Sequence, residues 1–169
     1  MRRLAKAGKL ALEGMRVLGD TFPLLVAVGP RRYDVESVKR MADAFEVYFQ
    51  RGERYAVISI QPEDSITPGA AERRLMLDWL ESPRVRRYAG TLCVGAATIM
   101  EGALMRGAFT AVLWFWRPPF PMETVATVER AVDYCVERLR ASGVSVPAEP
   151  PVLKERIERL IATTIATGR

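Results

Sequence analysis

The sequence predicts an α/β fold in which a mixed, mostly parallel sheet is covered by helices. Apolar strand-like segments alternate along the chain with segments whose apolar residues repeat at helical spacing, a pattern typical of parallel sheets. The segment "RYAVISIQ", residues 54–61, has little polar alternation, so both faces of this strand are expected to be covered. With 169 residues, 49% of them apolar, the chain is long enough for one domain with a core.

The first elements are predicted to be a strand pair and a helix. Two apolar segments, residues 10–18 and 22–29, flank "GDT", which predicts two strands joined by a tight turn. A helix follows, with Asp34 as its N-cap and Gly52 as the residue that ends it. The residues spaced to form its inward face are Val38, Met41, Ala42, Phe45, Tyr48 and Phe49.

Beyond the central strand, the same patterns predict a further alternation of helices and strands. Pro83 limits the next helix, and Ser82 is a candidate cap beside it. The remaining elements are predicted as a helix over 71–82, a strand over 90–96, a helix over 98–107, a strand over 110–116, a helix over 122–142 and a final helix over 152–167. The predicted order is therefore β-β-α-β-α-β-α-β-α with an added amphipathic helix at the C-terminus.

These elements divide the chain into four parts. We expect residues 1–14 to form an N-terminal extension, with Met15 as an alternative start because the apolar pattern begins there. Residues 15–143 are predicted to form the α/β domain, 144–151 a proline-rich linker and 152–169 the C-terminal helix.

The residue types present argue against several kinds of chemistry. The chain contains no histidine, which excludes Ser-His-Asp and Cys-His pairs and removes the commonest metal ligand. Cys93 and Cys135 stand in apolar contexts without zinc or redox spacing and are expected to be buried free thiols. We therefore expect a protein that is not an enzyme, with no catalytic residue, cofactor or metal.

The charge and hydropathy patterns bear on partners and location. The net charge is +5, but the arginine clusters are not interleaved with aromatic residues as in stacking nucleic-acid sites. We expect a solvated surface and no nucleic-acid partner, with an acidic partner as the alternative. No apolar segment reaches the length of a membrane span or a signal peptide, so a cytoplasmic location is expected.

Several of these segments resemble the STAS domain, the fold of sulfate-transporter tails and anti-sigma-factor antagonists. The residues that carry the resemblance include "FPLLVAV", "RGERYAVISI", "ERRLMLDWL" and "MRGAFTAVLWFWRPPFP", within residues 15–142. The chain is most similar to small bacterial STAS-like, SpoIIAA-like proteins. The resemblance implies a cytoplasmic, non-enzymatic module for protein interaction or regulation, with an unknown protein partner.

The resemblance also implies a regulatory site in the loop "QPEDSITPGAAERR", residues 61–74. In the antagonists, a Ser or Thr at the start of the helix after the central strand is phosphorylated by a partner kinase. Ser65 or Thr67 occupies that place here, which makes the two residues the candidate phospho-switch. The residues themselves also fit plain capping, with Thr67 as N-cap and Pro68 at the first helical position.

A second set of residues is predicted to form an interaction surface. Trp114 and Trp116 share one face of a predicted strand, and the final helix carries an apolar stripe that must be buried. We expect a two-fold dimer through this stripe slightly more than docking on the chain's own sheet. The predicted surface comprises Met100, Met105, Arg106, Trp114, Trp116, Ile157, Leu160 and Ile161.

One alternative function and one question about a single residue stay open at this point. A small apolar ligand or lipid binder, similar to CRAL-TRIO proteins, would have an enclosed apolar pocket near Met100, Phe109, Trp114 and Trp116. Gly95, at a strand end before a predicted helix, is favoured as a site of close packing over an anion-binding position.

Overall fold

The computed structural model describes residues 15–62, 65–66, 68–100, 102 and 117–167. Five strands in these ranges form one sheet in the order β1-β2-β3-β4-β5. β1 pairs with β2 in antiparallel orientation, and all the other neighbours are parallel. The strands are β1 Arg16–Leu18, β2 Leu24–Val28, β3 Tyr55–Ile60, β4 Cys93–Ile99 and β5 Met122–Val125. The α/β class and the mixed, mostly parallel sheet are therefore confirmed.

The described ranges contain five helices, four of which cover this sheet from both sides. They are α1 Val35–Arg51, α2 Ala70–Glu81, α3 Pro83–Leu92, α4 Val128–Ala141 and α5 Pro150–Thr167. α1 and α3 pack on one face of the sheet, and α4 and α5 pack on the other. α2 packs on α1 and α3, and none of its residues is buried.

The capping signals at α1 and α3 were predicted correctly. Asp34 and Ser37 form a capping box at the start of α1, in which the Asp34 side chain accepts a hydrogen bond from the Ser37 backbone N–H at 2.6 Å. Gly52 ends this helix with φ of 66°, a left-handed conformation that favours glycine. The Ser82 hydroxyl accepts from the Val85 N–H at the start of α3, where Pro83 occupies the first position.

Two predicted boundaries around β4 are wrong because tertiary packing overrides the local pattern. Residues 90–92 belong to α3 rather than to the strand, since Val85, Ala89 and Leu92 form one buried helical face. Residues 98–99 belong to β4 rather than to a helix, because they continue the parallel pairing with β3. The strand predicted over 110–116 lies outside the described residues.

The helix predicted over 122–142 begins six residues later than expected, at Val128. Met122–Val125 instead forms the strand β5, which pairs with β4 and is the last strand of the described part of the sheet. The backbone N–H of Met100 donates to the Val125 carbonyl at 2.9 Å, just beyond the last pair of the ladder. Thr127 then caps α4, and its side chain accepts from the Arg130 N–H.

The final helix docks on its own chain, so the expected burial of its stripe in a second subunit is wrong. α5 contacts α4 and β2, and its residues Leu153, Ile157 and Ile161 are buried in the core on that face. Ile157 and Ile161 therefore do not form an interaction surface, and Leu160 is half-buried. The sheet already offers an apolar face beside α4, and a helix of this length is stabilised by covering it.

Close packing at Gly95 is confirmed. A Cβ atom at this position would lie 2.8 Å from Cγ of Arg138, which donates from Nε to the Val94 carbonyl at 3.1 Å. The two cysteines are buried and free, as predicted. Burial raises the pKa of the Cys93 thiol to about 12, so both its position and its protonation disfavour reactivity.

We predict that Ile157→Ala lowers the free energy of unfolding by about 2–5 kcal/mol, because it opens a cavity under α5. Val152→Ala is the matched control on the same helix, since Val152 is 49% exposed and should change stability by less than about 0.5 kcal/mol. Urea denaturation of both variants measures the difference. Equal effects of the two substitutions would contradict the docking of α5.

Candidate functional site

The candidate site lies where the loops after β2 and β3 meet, at the carboxyl edge of the parallel sheet. Ligands and partners of open α/β sheets bind at this edge. The Gly29 N–H donates to the Ile60 carbonyl at 2.8 Å, and the Ile66 N–H donates to the Arg31 carbonyl at 2.7 Å. An isolated parallel bridge between Arg32 and Ile66 extends this contact beyond the strands. The two loops are therefore held side by side by backbone hydrogen bonds.

The Pro30 carbonyl is the shared acceptor that joins the two loops through side chains. Nε2 of Gln61 donates to it at 2.9 Å, and Oγ of Ser65 donates to it at 3.0 Å. The hydroxyl of Tyr33 completes the network by donating to Oε1 of Gln61 at 2.6 Å. Gln61 lies against the backbone of Gly29, where any Cβ would clash with its amide group. This explains why a side chain is disfavoured at that position.

Tyr33 remains a neutral donor under ordinary conditions. Burial raises the pKa of its phenol to about 12. The proton is therefore present at every physiological pH. The network is built from neutral groups and needs no counter-ion to hold the loops together.

Apolar side chains project from this edge into solvent. Ile66 is 61% exposed and Val35, the first residue of α1, is 47% exposed. Arg32 is exposed three residues before Val35, and Ser65 is half-buried directly before Ile66. We call Arg32, Val35, Ser65 and Ile66 the edge surface. Its combination of aliphatic side chains with an arginine matches the residue types of protein interfaces.

A row of hydroxyl groups crosses the sheet just inside this edge. Ser59 pairs in register with Thr98, which pairs with Thr124. Oγ of Ser59 donates to Oγ1 of Thr98 at 3.3 Å. The three side chains share the face of the sheet that α1 and α3 cover nearer the amino ends of the strands. This face therefore changes from apolar to polar toward the carboxyl edge.

The prediction that Thr67 and Pro68 cap the helix after β3 is wrong. Gly69 is the N-cap of α2 and makes no side-chain capping bond, so the helix begins at Ala70. Thr67 lies outside the described residues. Ser65 stands upstream of the helix and is bound to the Pro30 carbonyl instead. Its position at the loop contact differs from the helix N-terminus expected for a phospho-switch residue.

The predicted Met and Trp surface lies largely outside the described residues. Met105, Arg106, Phe109, Trp114 and Trp116 belong to this part of the chain. Met100 is half-buried and directly follows β4, which places it at the same sheet edge as the edge surface. The surface around the two Trp residues, and the apolar pocket of the alternative, therefore stay predictions.

Sequence reasoning did not identify Tyr33, Gln61, Ser59 and Thr98. Ser59, Gln61 and Thr98 share one signal, since each is a polar residue at or just beyond the carboxyl end of an otherwise apolar parallel strand. Tyr33 has no comparable signal, because its role depends on the proximity of Gln61 across the loop contact. Polar residues at these strand ends indicate a site at the carboxyl edge of the sheet.

The described ranges also contain two open grooves. One, of about 330 Å³, lies between α4 and α5. The other, of about 560 Å³, lies at the opposite edge of the sheet, between Phe22 and the segment that follows α4. Within these ranges no three His, Cys, Asp or Glu residues are placed to hold a metal ion, and no helix is long and apolar enough to cross a membrane.

No family model matches this chain, and no curated protein or solved structure matches it. The edge surface and its hydrogen-bond network are therefore the features from which a function is inferred.

We predict that Tyr33→Phe lowers the free energy of unfolding by about 1 kcal/mol near neutral pH, because Gln61 loses its donor. The folded state raises the pKa of Tyr33 to about 12, so it holds this proton more tightly than the unfolded state does. The stabilisation is complete below the unfolded pKa of about 10 and is lost as pH rises toward 12.

Urea denaturation of the variant and the unmodified protein at increasing alkaline pH checks this prediction. The difference in free energy between them should shrink above a pH of about 10. A difference that stays constant across this range would show that the Tyr33 phenol is not buried as described.

Proposed function

We propose that the protein is a non-enzymatic protein-interaction module of the STAS-like type, with the edge surface as its binding site and Ser65 as its control point. The hydrogen bond from Ser65 to the Pro30 carbonyl is the observation that carries the proposal. Ser65 is the only residue of the predicted phospho-switch among the described residues. Its hydrogen bond fixes the position of the loop that carries the exposed Ile66. The proposal includes a cytoplasmic location and an unidentified protein partner.

The exposed side chains of the edge surface support a binding role. Ile66 and Val35 are brought to the same edge because Ile66 bridges to Arg32, three residues before Val35. Single exposed aliphatic residues are common on protein surfaces, but two such residues beside an arginine at the carboxyl edge can anchor a partner. The described part of this edge offers no paired nucleophile and base, which favours binding over catalysis.

The chemistry of a serine phosphate supports the switch. A phosphoester at Ser65 has no proton on Oγ to donate, so the hydrogen bond with the Pro30 carbonyl is lost. A charge of about −1.5 to −2 also arrives beside a carbonyl oxygen and repels it. The loop holding Ile66 is then released from the loop holding Arg32, and the edge surface changes shape. The net loss from the hydrogen bond alone is about 1 kcal/mol.

We predict that Ile66→Ser abolishes or strongly weakens partner capture by the immobilised protein. Val47→Ser is the matched control, because Val47 is 59% exposed on α1 and Ile66 is 61% exposed at the edge. Quantitative mass spectrometry of proteins retained from the native cell extract compares the two variants. A partner retained by Val47→Ser and lost with Ile66→Ser supports the proposal. Partners lost equally with both variants would argue against the edge surface.

We predict that phosphate is found on Ser65 when the protein is isolated from its native cells, and that Ser65→Asp weakens capture of the same partner. Ser65→Ala separates the two effects, because it removes the hydrogen bond without adding charge. We expect it to weaken capture less than Ser65→Asp does. Absence of phosphate on both Ser65 and Thr67, together with full capture by Ser65→Asp, would reject the switch and leave the binding surface intact.

A further inference from the structure

α2 is an amphipathic helix that the protein leaves largely uncovered. Its large apolar residues, none of which is buried, are Leu75, Met76, Leu77, Trp79 and Leu80. Trp79 packs against the core cluster beneath α1 and α3, with its ring centroid 5.9 Å from that of Phe45. The other four do not join a core cluster of the described residues. A helix of 12 residues is marginal in water by itself, so further burial of its apolar side would stabilise it.

The uncovered side of α2 carries a heptad pattern. Ala70 and Leu77 stand at position a, and Arg73 and Leu80 stand at position d, so Leu77 and Leu80 are neighbours in one seam. Leu77 is 44% exposed, and Leu80 is half-buried. Nη1 of Arg73 donates to the Pro68 carbonyl at 2.7 Å, so its charge is bound at the start of the helix. A seam of this kind packs against a second helix.

The charges that flank the seam have opposite signs at the two ends of α2. Arg74 and Glu81 both stand at position e, the position that sets partner choice and orientation between paired helices, and both are exposed. Among the described residues, Arg74 has no ion-pair partner. Glu81 is bound to Arg86 at 3.0 Å, but a carboxylate accepts more than one donor. The flank therefore offers a cation at one end and an acceptor for a cation at the other.

An antiparallel pair of α2 helices satisfies the seam and the charges together. With a two-fold axis between residues 78 and 79, Leu77 of each copy lies opposite Leu80 of the other. Positions e then face each other along one side of the seam, which brings Arg74 of each copy beside Glu81 of the other. In a parallel pair, position e faces position g, which is the uncharged Met76 beside Arg74. The charge order of α2 is therefore complementary to the same helix in the reverse direction.

We propose that two copies of this chain associate through α2 in antiparallel orientation. Leu77 and Leu80 of one copy pack on Leu80 and Leu77 of the other, and two pairs of Arg74 with Glu81 flank this contact. The occupant is a second copy, because a partner must present a leucine seam and the reversed charge order, and α2 itself supplies both. The contact uses neither the edge surface nor the Ser65 hydroxyl, so it does not depend on the function proposed above.

The proposed contact is small, and this bears on its strength and its consequence. α2 has 12 residues and is about 18 Å long, so one pair of such helices buries less than the roughly 1,200 Å² of stable interfaces. We expect a dissociation constant on the order of 100 μM. Ile66 lies just before the start of α2, and the antiparallel pair places the two starts at opposite ends. The dimer therefore presents two separate edge surfaces, and a partner with two binding segments gains avidity.

Sedimentation equilibrium of the full chain tests for the dimer. Over concentrations of about 10 to 1,000 μM, we expect the mean mass to rise from that of one chain toward that of two. A chain that stays monomeric across this range would overturn the proposal, including the case in which another segment of the same chain covers α2.

Matched variants locate the contact on α2. Leu77→Ser should raise the dissociation constant at least about tenfold, because it removes the centre of the seam. Val152→Ser is the control, because Val152 is 49% exposed on α5 and Leu77 is 44% exposed on α2, and it should leave the dissociation constant unchanged. Both side chains are exposed, so the fold is preserved, and circular dichroism verifies it. Equal dissociation constants of the two variants would overturn the assignment to α2.

A mixture of two charge variants tests the antiparallel orientation. Arg74→Glu makes both e positions acidic, and Glu81→Arg makes both basic, so each variant alone should self-associate at least about tenfold more weakly than the unmodified protein. An equimolar mixture should regain dimers that contain one copy of each variant, because acidic positions then face basic ones. A mixture that stays monomeric would overturn the proposal. Undiminished self-association of either variant alone would also overturn it.

Discussion

The parallel pairing of β3 between β2 and β4 is the constraint on which the rest of the structure depends. Tyr55, Ala56, Val57 and Ile58 are buried, so this strand requires cover on both faces of the sheet. α1 and α3 supply that cover on one face, and α4 and α5 supply it on the other. Because β2 and β3 run in the same direction, the loops that follow them emerge at one edge and meet there. The candidate site is a consequence of this pairing.

At that edge, the Pro30 carbonyl holds two neighbouring loops together, so that they form one surface. It accepts hydrogen bonds from the amide of Gln61 and the hydroxyl of Ser65. The Gln61 bond lies in a network of neutral groups that the buried phenol of Tyr33 supports. The Ser65 bond is different, because a covalent change of the hydroxyl removes it. In the proposed switch, loss of the Ser65 bond leaves the Gln61 bond to the same acceptor in place.

Local sequence signals predicted some features well, and those features depend on a few neighbouring residues. The capping of α1 by Asp34 and its end at Gly52 are examples, as is the start of α3 at Ser82 and Pro83. The strand Met122–Val125 was not predicted, because its formation depends on pairing with β4. The docking of Ile157 was assigned to a second subunit because periodicity shows that a stripe is buried but not what covers it. The role of Ser65 likewise depends on Pro30, 35 residues away in the chain.

The central claim is that the Ser65 hydroxyl holds the loop of Ile66 against the loop of Arg31. The amide of Ile66, which donates to the Arg31 carbonyl at 2.7 Å, is the direct reporter of that contact. Its hydrogen-exchange rate, measured by NMR in the unmodified protein and in Ser65→Ala, tests the claim without the need for a partner protein. The account predicts exchange about fivefold faster in the variant, with the amides of β3 unchanged. An unchanged rate at Ile66 would contradict it.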